Sequence, residues 1–209
     1  MRTVPAAVAL LVALAMLPAP PVQALPRLKL AAQAGGSFLL QPASITDRWN
    51  TGFTVSGGLR FKPVPIVSVG IDVGYHRQPF DREAFEATIA DRYPSVTVSG
   101  GDLWMLPVTA VGEVDLVRWG ATKPFVRAGA GLVVVGTQNF SASGPGSPQV
   151  IAEFTAFAPD ETVFGTLLGL GVRTPLGPGL DLSLDVGWHT AATAGEATSF
   201  LPVRIGLVF

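Results

Sequence analysis

The sequence predicts an all-β fold: an eight-stranded antiparallel up-and-down barrel that crosses a bilayer, with short turns at one end and long loops at the other. Three observations predict it. Apolar and polar residues alternate with a period of two in eight segments. The connections between those segments alternate between short and long. Mean hydropathy is high, at +0.44, yet no internal stretch offers the ~20 consecutive apolar residues that a membrane helix needs. Alternating strands reconcile these facts, because one face can meet lipid while polar residues interrupt every run.

The eight segments are 27–39, 53–62, 66–76, 102–116, 124–136, 163–174, 180–190 and 200–209. Their lengths suit tilted strands of ~9–11 residues spanning the hydrocarbon layer. Lys62-Pro-Val-Pro65, 117–123 and Pro175-Leu-Gly-Pro-Gly179 are short connections, whereas 40–52, 77–101, 137–162 and 191–199 are longer. This is the pattern of periplasmic turns and extracellular loops, and an even strand count puts both termini on the periplasmic side.

Parity assigns the faces. In the second strand Phe53, Val55, Leu59 and Phe61 face out, and Thr54, Ser56, Gly58 and Arg60 face in. In the third, Val67, Val69, Ile71, Val73 and Tyr75 oppose Ser68, Gly70, Asp72, Gly74 and His76; in the seventh, Leu180, Leu182, Leu184, Val186 and Trp188 oppose Asp181, Ser183, Asp185, Gly187 and His189. The fourth strand sends Glu113 and Asp115 inward, and the fifth Arg127, Gly129 and Gly131. Inward glycines suit a narrow barrel, where side chains compete for volume. The same parity puts Phe38, Phe53, Tyr75, Trp104, Phe164 and Trp188 outward at the loop-side strand ends, as an aromatic belt at one membrane interface. Phe61, Trp119 and Phe209 lie near the other.

The predicted lumen carries Arg60, Asp72, Glu113, Asp115, Arg127, Arg173, Asp181, Asp185 and Arg204. Buried charges are costly unless paired, so these residues should form ion-pair networks. They read as a polar plug, or alternatively as a charged path for small solutes. A secreted lipocalin-like barrel would instead line its interior with apolar side chains.

The amino terminus has the form of an export signal. Arg2 supplies a positive start, 4–17 an apolar core, and Val22-Gln-Ala24 small residues for cleavage. Residues 1–24 are expected to be removed, leaving 25–209 as the barrel domain. There is no cysteine, which excludes disulfides, thiolate metal sites and a lipid anchor on Cys. The net charge of −1 gives no nucleic-acid footprint.

At the carboxyl terminus, Leu201, Val203, Ile205, Leu207 and Phe209 share one strand face, with Arg204 and Gly206 on the other. Together with the eight strands and the alternating loop lengths, this ending resembles the small outer-membrane β-barrels of the OmpA-like and OmpX-like porin family. The resemblance implies a Gram-negative outer membrane, with bilayer lipid and lipopolysaccharide as surroundings. It implies that Phe209 is a terminal signal for the outer-membrane assembly machinery, and that the role is envelope-structural or one of surface interaction through the loops. The chain departs from full-length OmpA, in which a peptidoglycan-binding domain follows the barrel.

One segment recurs. Asp72-Val-Gly-Tyr-His76 returns as Asp185-Val-Gly-Trp-His189, at an offset that also matches Gly58 to Gly171, Arg60 to Arg173 and Pro65 to Pro178. Barrel-hairpin grammar accounts for much of this. Geometry adds that strands three and seven of eight face each other, so that His76 and His189 approach across the mouth. Two imidazoles are too few for a closed metal site, and each Asp lies ~13 Å along the strand from its His. No metal or other cofactor is expected. Some barrels of this resemblance modify lipid A, but no His-x-Ser motif like that of the deacylase barrels follows either histidine, and only Thr190 neighbours one. Enzymatic action is therefore not the leading expectation. In the loops, Phe85 and Ile89 sit at helical spacing within 80–93, which predicts a short amphipathic helix on the membrane or over the barrel. Residues 141–148, Ser-Ala-Ser-Gly-Pro-Gly-Ser-Pro, are expected to be flexible and exposed.

Overall fold

The computed structural model describes residues 28–117, 119–193 and 197–209. The expected export signal, 1–24, lies outside them. Among the described residues ten strands form: β1 Leu28–Gln41, β2 Gly52–Val64, β3 Val67–Gln78, β4 Thr97–Ser99, β5 Leu103–Asp115, β6 Lys123–Thr137, β7 Ser141–Ser143, β8 Glu161–Gly177, β9 Leu180–Ala191 and β10 Thr198–Val208. Eight of them close a barrel in the order β1-β2-β3-β5-β6-β8-β9-β10, with every pairing antiparallel. They correspond one to one with the eight predicted segments. Among the described residues no helix is long and apolar enough to cross a membrane.

The barrel closes between β1 and β10, from Ala31 opposite Val208 to Gln41 opposite Ser199. Phe209 extends this seam: its backbone N–H donates to the carbonyl of Leu30 at 2.8 Å, and its carbonyl accepts from the Leu30 N–H at 3.1 Å. Closure leaves no strand edge unpaired in lipid, where an unsatisfied peptide group costs several kcal/mol. Two glycines permit the strands to come close. A Cβ on Gly35 would lie 1.9 Å from the carbonyl oxygen of Val203, and one on Gly131 would lie 2.0 Å from that of Val108.

The outer face is apolar and open. Leu59, Ile71, Leu132, Leu168, Leu170, Leu184 and Ile205 are all exposed. Inward positions of the same strands are buried, and the two sets alternate most regularly along β5, from Leu103 to Glu113. This is the inverse of a water-soluble barrel, and it satisfies the solvent on both sides of the wall.

The long loops are structured. Helix α1 spans Ala43–Thr46, α2 spans Arg82–Ile89 and α3 spans Ser147–Phe157. Asp81 caps α2, its carboxylate accepting from the N–H of Ala84 at 3.0 Å. Phe85 and Ile89 are the buried residues of α2, and they face the barrel mouth. The expectation for 141–148 needs correction. Residues 141–143 are β7, which pairs with β4 from Thr97 opposite Ser143 to Ser99 opposite Ser141. Gly144 and Gly146 turn the chain with φ of +115° and +95°, and Pro148 then stands in the first turn of α3, where its missing N–H breaks no helical hydrogen bond. The segment is exposed, but it is built into secondary structure.

Candidate functional site

The lumen is organised in levels from the turn end to the loop end. At the turn end Lys29 reaches Asp181 at 2.8 Å, and Lys62 pairs with Asp115. Arg173 pairs with Glu113, lies 3.4 Å from Asp115, and stacks its guanidinium 4.2 Å from the centre of the Phe125 ring. The middle level is more deeply buried. Arg60 meets Asp72 at 2.6 Å, and Arg127 meets Asp185 at 2.6 Å and Asp72 at 3.7 Å. Arg204 meets Asp185 at 3.0 Å and donates to Ser56 Oγ at 3.2 Å, while Gln33 donates to the second oxygen of Asp185. The structure thus gives every one of the nine predicted lumen charges an ionic partner. Strands β1, β2, β3, β6, β9 and β10 all contribute to the middle level. Lys29, Lys62 and Gln33 complete the networks, and they sit on the inward parity of β1 and β2, where the sequence reading passed over them.

Above the ion pairs stand His76 and His189, 0% and 4% exposed. Their ring centroids are 5.7 Å apart, across the barrel as the strand order requires. His76 Nδ1 shares a 3.1 Å hydrogen bond with Ser37 Oγ, and Gln78 Nε2 donates to that same oxygen at 2.8 Å. The hairpin repeat does not carry its pairings with it: Arg60 faces Asp72, whereas its counterpart Arg173 faces Glu113 and Asp115. Among the described residues no three His, Cys, Asp or Glu side chains come together as a metal centre.

The loop-end third of the lumen is mainly apolar, with Gln78, Thr198 and Ser199 as its buried polar side chains. Leu103, Met105, Val133, Val135, Ala191 and Phe200 point inward there and join Trp49, Phe80, Phe85, Ile89, Val96, Val98, Val150 and Phe154 from the loops in one buried apolar cluster. Phe140 stacks flat on Phe154 at 3.9 Å, Phe80 meets Phe154 edge to face at 5.2 Å, and Trp49 Nε1 donates to the carbonyl of Gly101 at 2.8 Å. Burial at ~25 cal/mol per Å² and aromatic contacts of about 0.5–1.5 kcal/mol each hold this cap on the barrel. Arg92 and Glu153 fasten α2's end to α3 from outside, in a two-pronged pair at 2.6 and 3.0 Å.

Of the aromatic belt, Phe38, Phe53, Phe164 and Trp188 are exposed on the outer face, and Trp104 is half-buried there. Tyr75 departs from the prediction, being only 5% exposed. Its ring lies 6.2 Å from that of Phe53, so it shares the outer face, but it is covered and forms no part of an open ring of aromatics. Trp119, at the turn end, is 78% exposed.

The family of the outer membrane protein beta-barrel domain matches residues 7–200. No curated protein matches the sequence. Among solved structures the chain is similar to Neisserial surface protein A at 14% identity, covering 87% of this chain and 95% of that one with a TM-score of 0.55. It is also similar to Ail, the attachment invasion locus protein of Yersinia pestis, at 13% identity over 87% of this chain and 98% of that one, with a TM-score of 0.46. A third likeness is to the outer membrane enzyme PagL, at 14% identity over 87% and 98% with a TM-score of 0.42. At 14% identity the likeness to Neisserial surface protein A is one of fold. With an apolar outer wall, a polar lumen and a family match across most of its length, this chain belongs to the outer membrane protein β-barrel family.

Proposed function

We propose that this outer-membrane barrel is a non-enzymatic scaffold, closed to solutes, that holds a rigid loop-built cap outside the membrane for envelope stability or surface interaction. In this reading the turns and both termini are periplasmic, the mature chain begins at residue 25, and Phe209 serves the assembly machinery. The observation that carries it is the apolar cluster spanning the loops and the upper lumen, in which Trp49, Phe80, Phe85 and Phe154 meet Leu103, Met105 and Phe200. A gated channel has no need to seal its mouth with interlocked rings. A surface that binds a partner gains from loops that are already ordered, because less conformational entropy is lost on contact.

A low-conductance path is disfavoured by the same cluster and by the saturated pairing of Arg127 and Asp185 beneath it. A lipid-modifying role is disfavoured by position. The serine and histidine in contact, Ser37 and His76, are each 0% exposed inside the lumen, away from any lipid acyl chain. The test is single-channel conductance of residues 25–209 refolded into a planar bilayer. Silence with folded protein, verified by a heat-dependent gel shift, supports the scaffold. Reproducible steps that change on neutralising Arg127 or Asp185 would replace it with the pore.

A further inference from the structure

Helix α3 faces two ways. Val150 and Phe154 enter the apolar cluster, while Pro148, Gln149, Ile151, Ala152, Thr155 and Ala156 are exposed on its other side. That outer face carries no charge, and Ile151 on it is 38% exposed. The helix's one ionic side chain, Glu153, is turned aside to Arg92. A helix that meets only water normally carries charged residues on its outer face, as α2 does with Arg82 and Glu83. Gly146, before the start of α3, packs against the Tyr93 ring, and Phe157 at its end meets Trp49 at 6.0 Å. The helix therefore lies across the barrel mouth with its uncharged face turned outward.

Charge of one sign surrounds this face. The described residues of 40–52, 77–102 and 137–162 hold nine carboxylates against four arginines, and no lysine. Arg77 is taken by Asp102 and Arg92 by Glu153, and Arg48 lies 3.8 Å over the Phe157 ring. Asp47, Asp91 and Asp160 are exposed and have no ionic partner among the described residues. All three flank α3. Asp91 adjoins Arg92, which grips the middle of the helix. Asp47 adjoins Arg48, which covers its end, and Asp160 follows that end by three residues.

We propose that this face docks a basic amphipathic segment of a polypeptide, with its apolar side chains on Ile151, Ala152 and Ala156 and its Lys or Arg side chains against Asp47, Asp91 and Asp160. This partner presupposes that the cap serves surface interaction. The two alanines are small enough to let apolar side chains reach the helix backbone, as in the packing of an amphipathic helix on a flat apolar face. Charge argues against other occupants. A second copy of the chain, or an anionic polysaccharide, would bring negative charge within a Debye length of about 8 Å of three unpaired carboxylates, and like charges set against each other across an interface suppress binding. Cationic side chains are drawn to the same positions. The helix is already fixed by Val150 and Phe154 in the cluster, so little ordering cost falls on the cap when the partner arrives.

The experiment places folded barrel in nanodiscs of zwitterionic phosphatidylcholine and titrates it into a fluorescent helical peptide with leucine on one face and lysine on the other. Anisotropy is read against empty discs. Saturable binding above the empty discs is expected, and it should weaken as salt is raised. Ile151→Gln should weaken it about tenfold by removing apolar contact. The triple variant Asp47→Asn, Asp91→Asn, Asp160→Asn should weaken it by about tenfold as well and flatten the salt dependence. All four positions are exposed, and the heat-dependent gel shift verifies that each variant folds. No binding above empty discs overturns the proposal, as does equal binding of a peptide with glutamate in place of lysine. Affinity unchanged in both variants also overturns it, because the peptide then sits elsewhere. Pairing of barrels that is lost in Ile151→Gln would give the face to a second copy instead. A barrel that conducts in a planar bilayer fails the closed scaffold whatever the peptide does, whereas a silent barrel that leaves the peptide unbound fails only this partner.

Discussion

Arg127 on β6 and Asp185 on β9 meet at 2.6 Å with side chains only 1% and 0% exposed, although β8 separates their strands. Arg204 reaches the same carboxylate oxygen of Asp185 at 3.0 Å, and Gln33 binds the other one. Asp185 is thus the anion around which the middle of the lumen is neutralised. Asp185→Asn leaves two buried guanidinium groups short of a counter-charge, and losing one partner of a buried pair typically costs 3–5 kcal/mol. The expected outcome is a barrel destabilised by about that amount in urea unfolding followed by the gel shift. Asp181→Asn is the control. Its partner Lys29 has a side chain 36% exposed, and pairs reached by water contribute about 0–1 kcal/mol.

The cap makes a separable prediction. Phe80 is 4% exposed and touches Trp49, Phe85, Phe140 and Phe154. Phe80→Ala should remove about 3–5 kcal/mol from the loop cluster while leaving the ladder between β5 and β6 intact. Limited proteolysis of the folded protein should then cut within 79–102 or 138–160 at least tenfold faster than in wild type, with the membrane-embedded barrel still resisting. Equal cleavage rates would mean that the loops do not depend on this ring.

The contrast between barrel and cap explains what was legible in the sequence. The barrel strands were readable because lipid outside and polar groups inside impose opposite chemistry on alternate residues, as in Leu182, Ser183, Leu184 and Asp185. Where both sides of the wall are apolar that signal disappears. Leu132-Val-Val-Val135 has no alternation, because Val133 and Val135 face the cap while Leu132 faces out. The closed mouth was therefore hidden in a stretch that still reads as strand. Helix α3 was missed for a different reason. Gly144, Pro145 and Gly146 resemble a linker, whereas Pro148 followed by Val150 and Phe154 at helical spacing is a helix start that went unread. Parity gave Tyr75 its direction but said nothing of its burial. Ion-pair partners such as Arg173 with Glu113 depend on strand stagger, which the sequence does not state.

Barrel closure rests on close backbone approach at the seam. Gly35→Val would drive its Cβ into the carbonyl oxygen of Val203, 1.9 Å away, and neither backbone can retreat without breaking the ladder from Ala31 to Gln41. The variant should fail to reach the heat-modifiable folded form in vesicles, whereas Ala34→Val, on the exposed face, should fold normally. Folding of both would show that the seam tolerates a side chain and that β1 can shift its register.

The outer wall gives the last prediction, because it separates a lipid-facing barrel from a water-soluble one by sign. Leu170 lies near the middle of β8, is 63% exposed, and pairs across the wall with Val126 and Val186. In lipid, an arginine at this depth costs about 2–4 kcal/mol, since its charge must be drawn to a headgroup or hydrated by a bilayer defect. In water the same substitution would be neutral or would improve solubility. Leu170→Arg should therefore lower unfolding stability in lipid vesicles by about 2–4 kcal/mol, whereas Leu176→Lys, at an exposed position beside the turn end of β8, should cost at most about 1 kcal/mol because it reaches the interface. Equal stability for the two variants would mean that the band around Leu170 does not sit in the hydrocarbon layer.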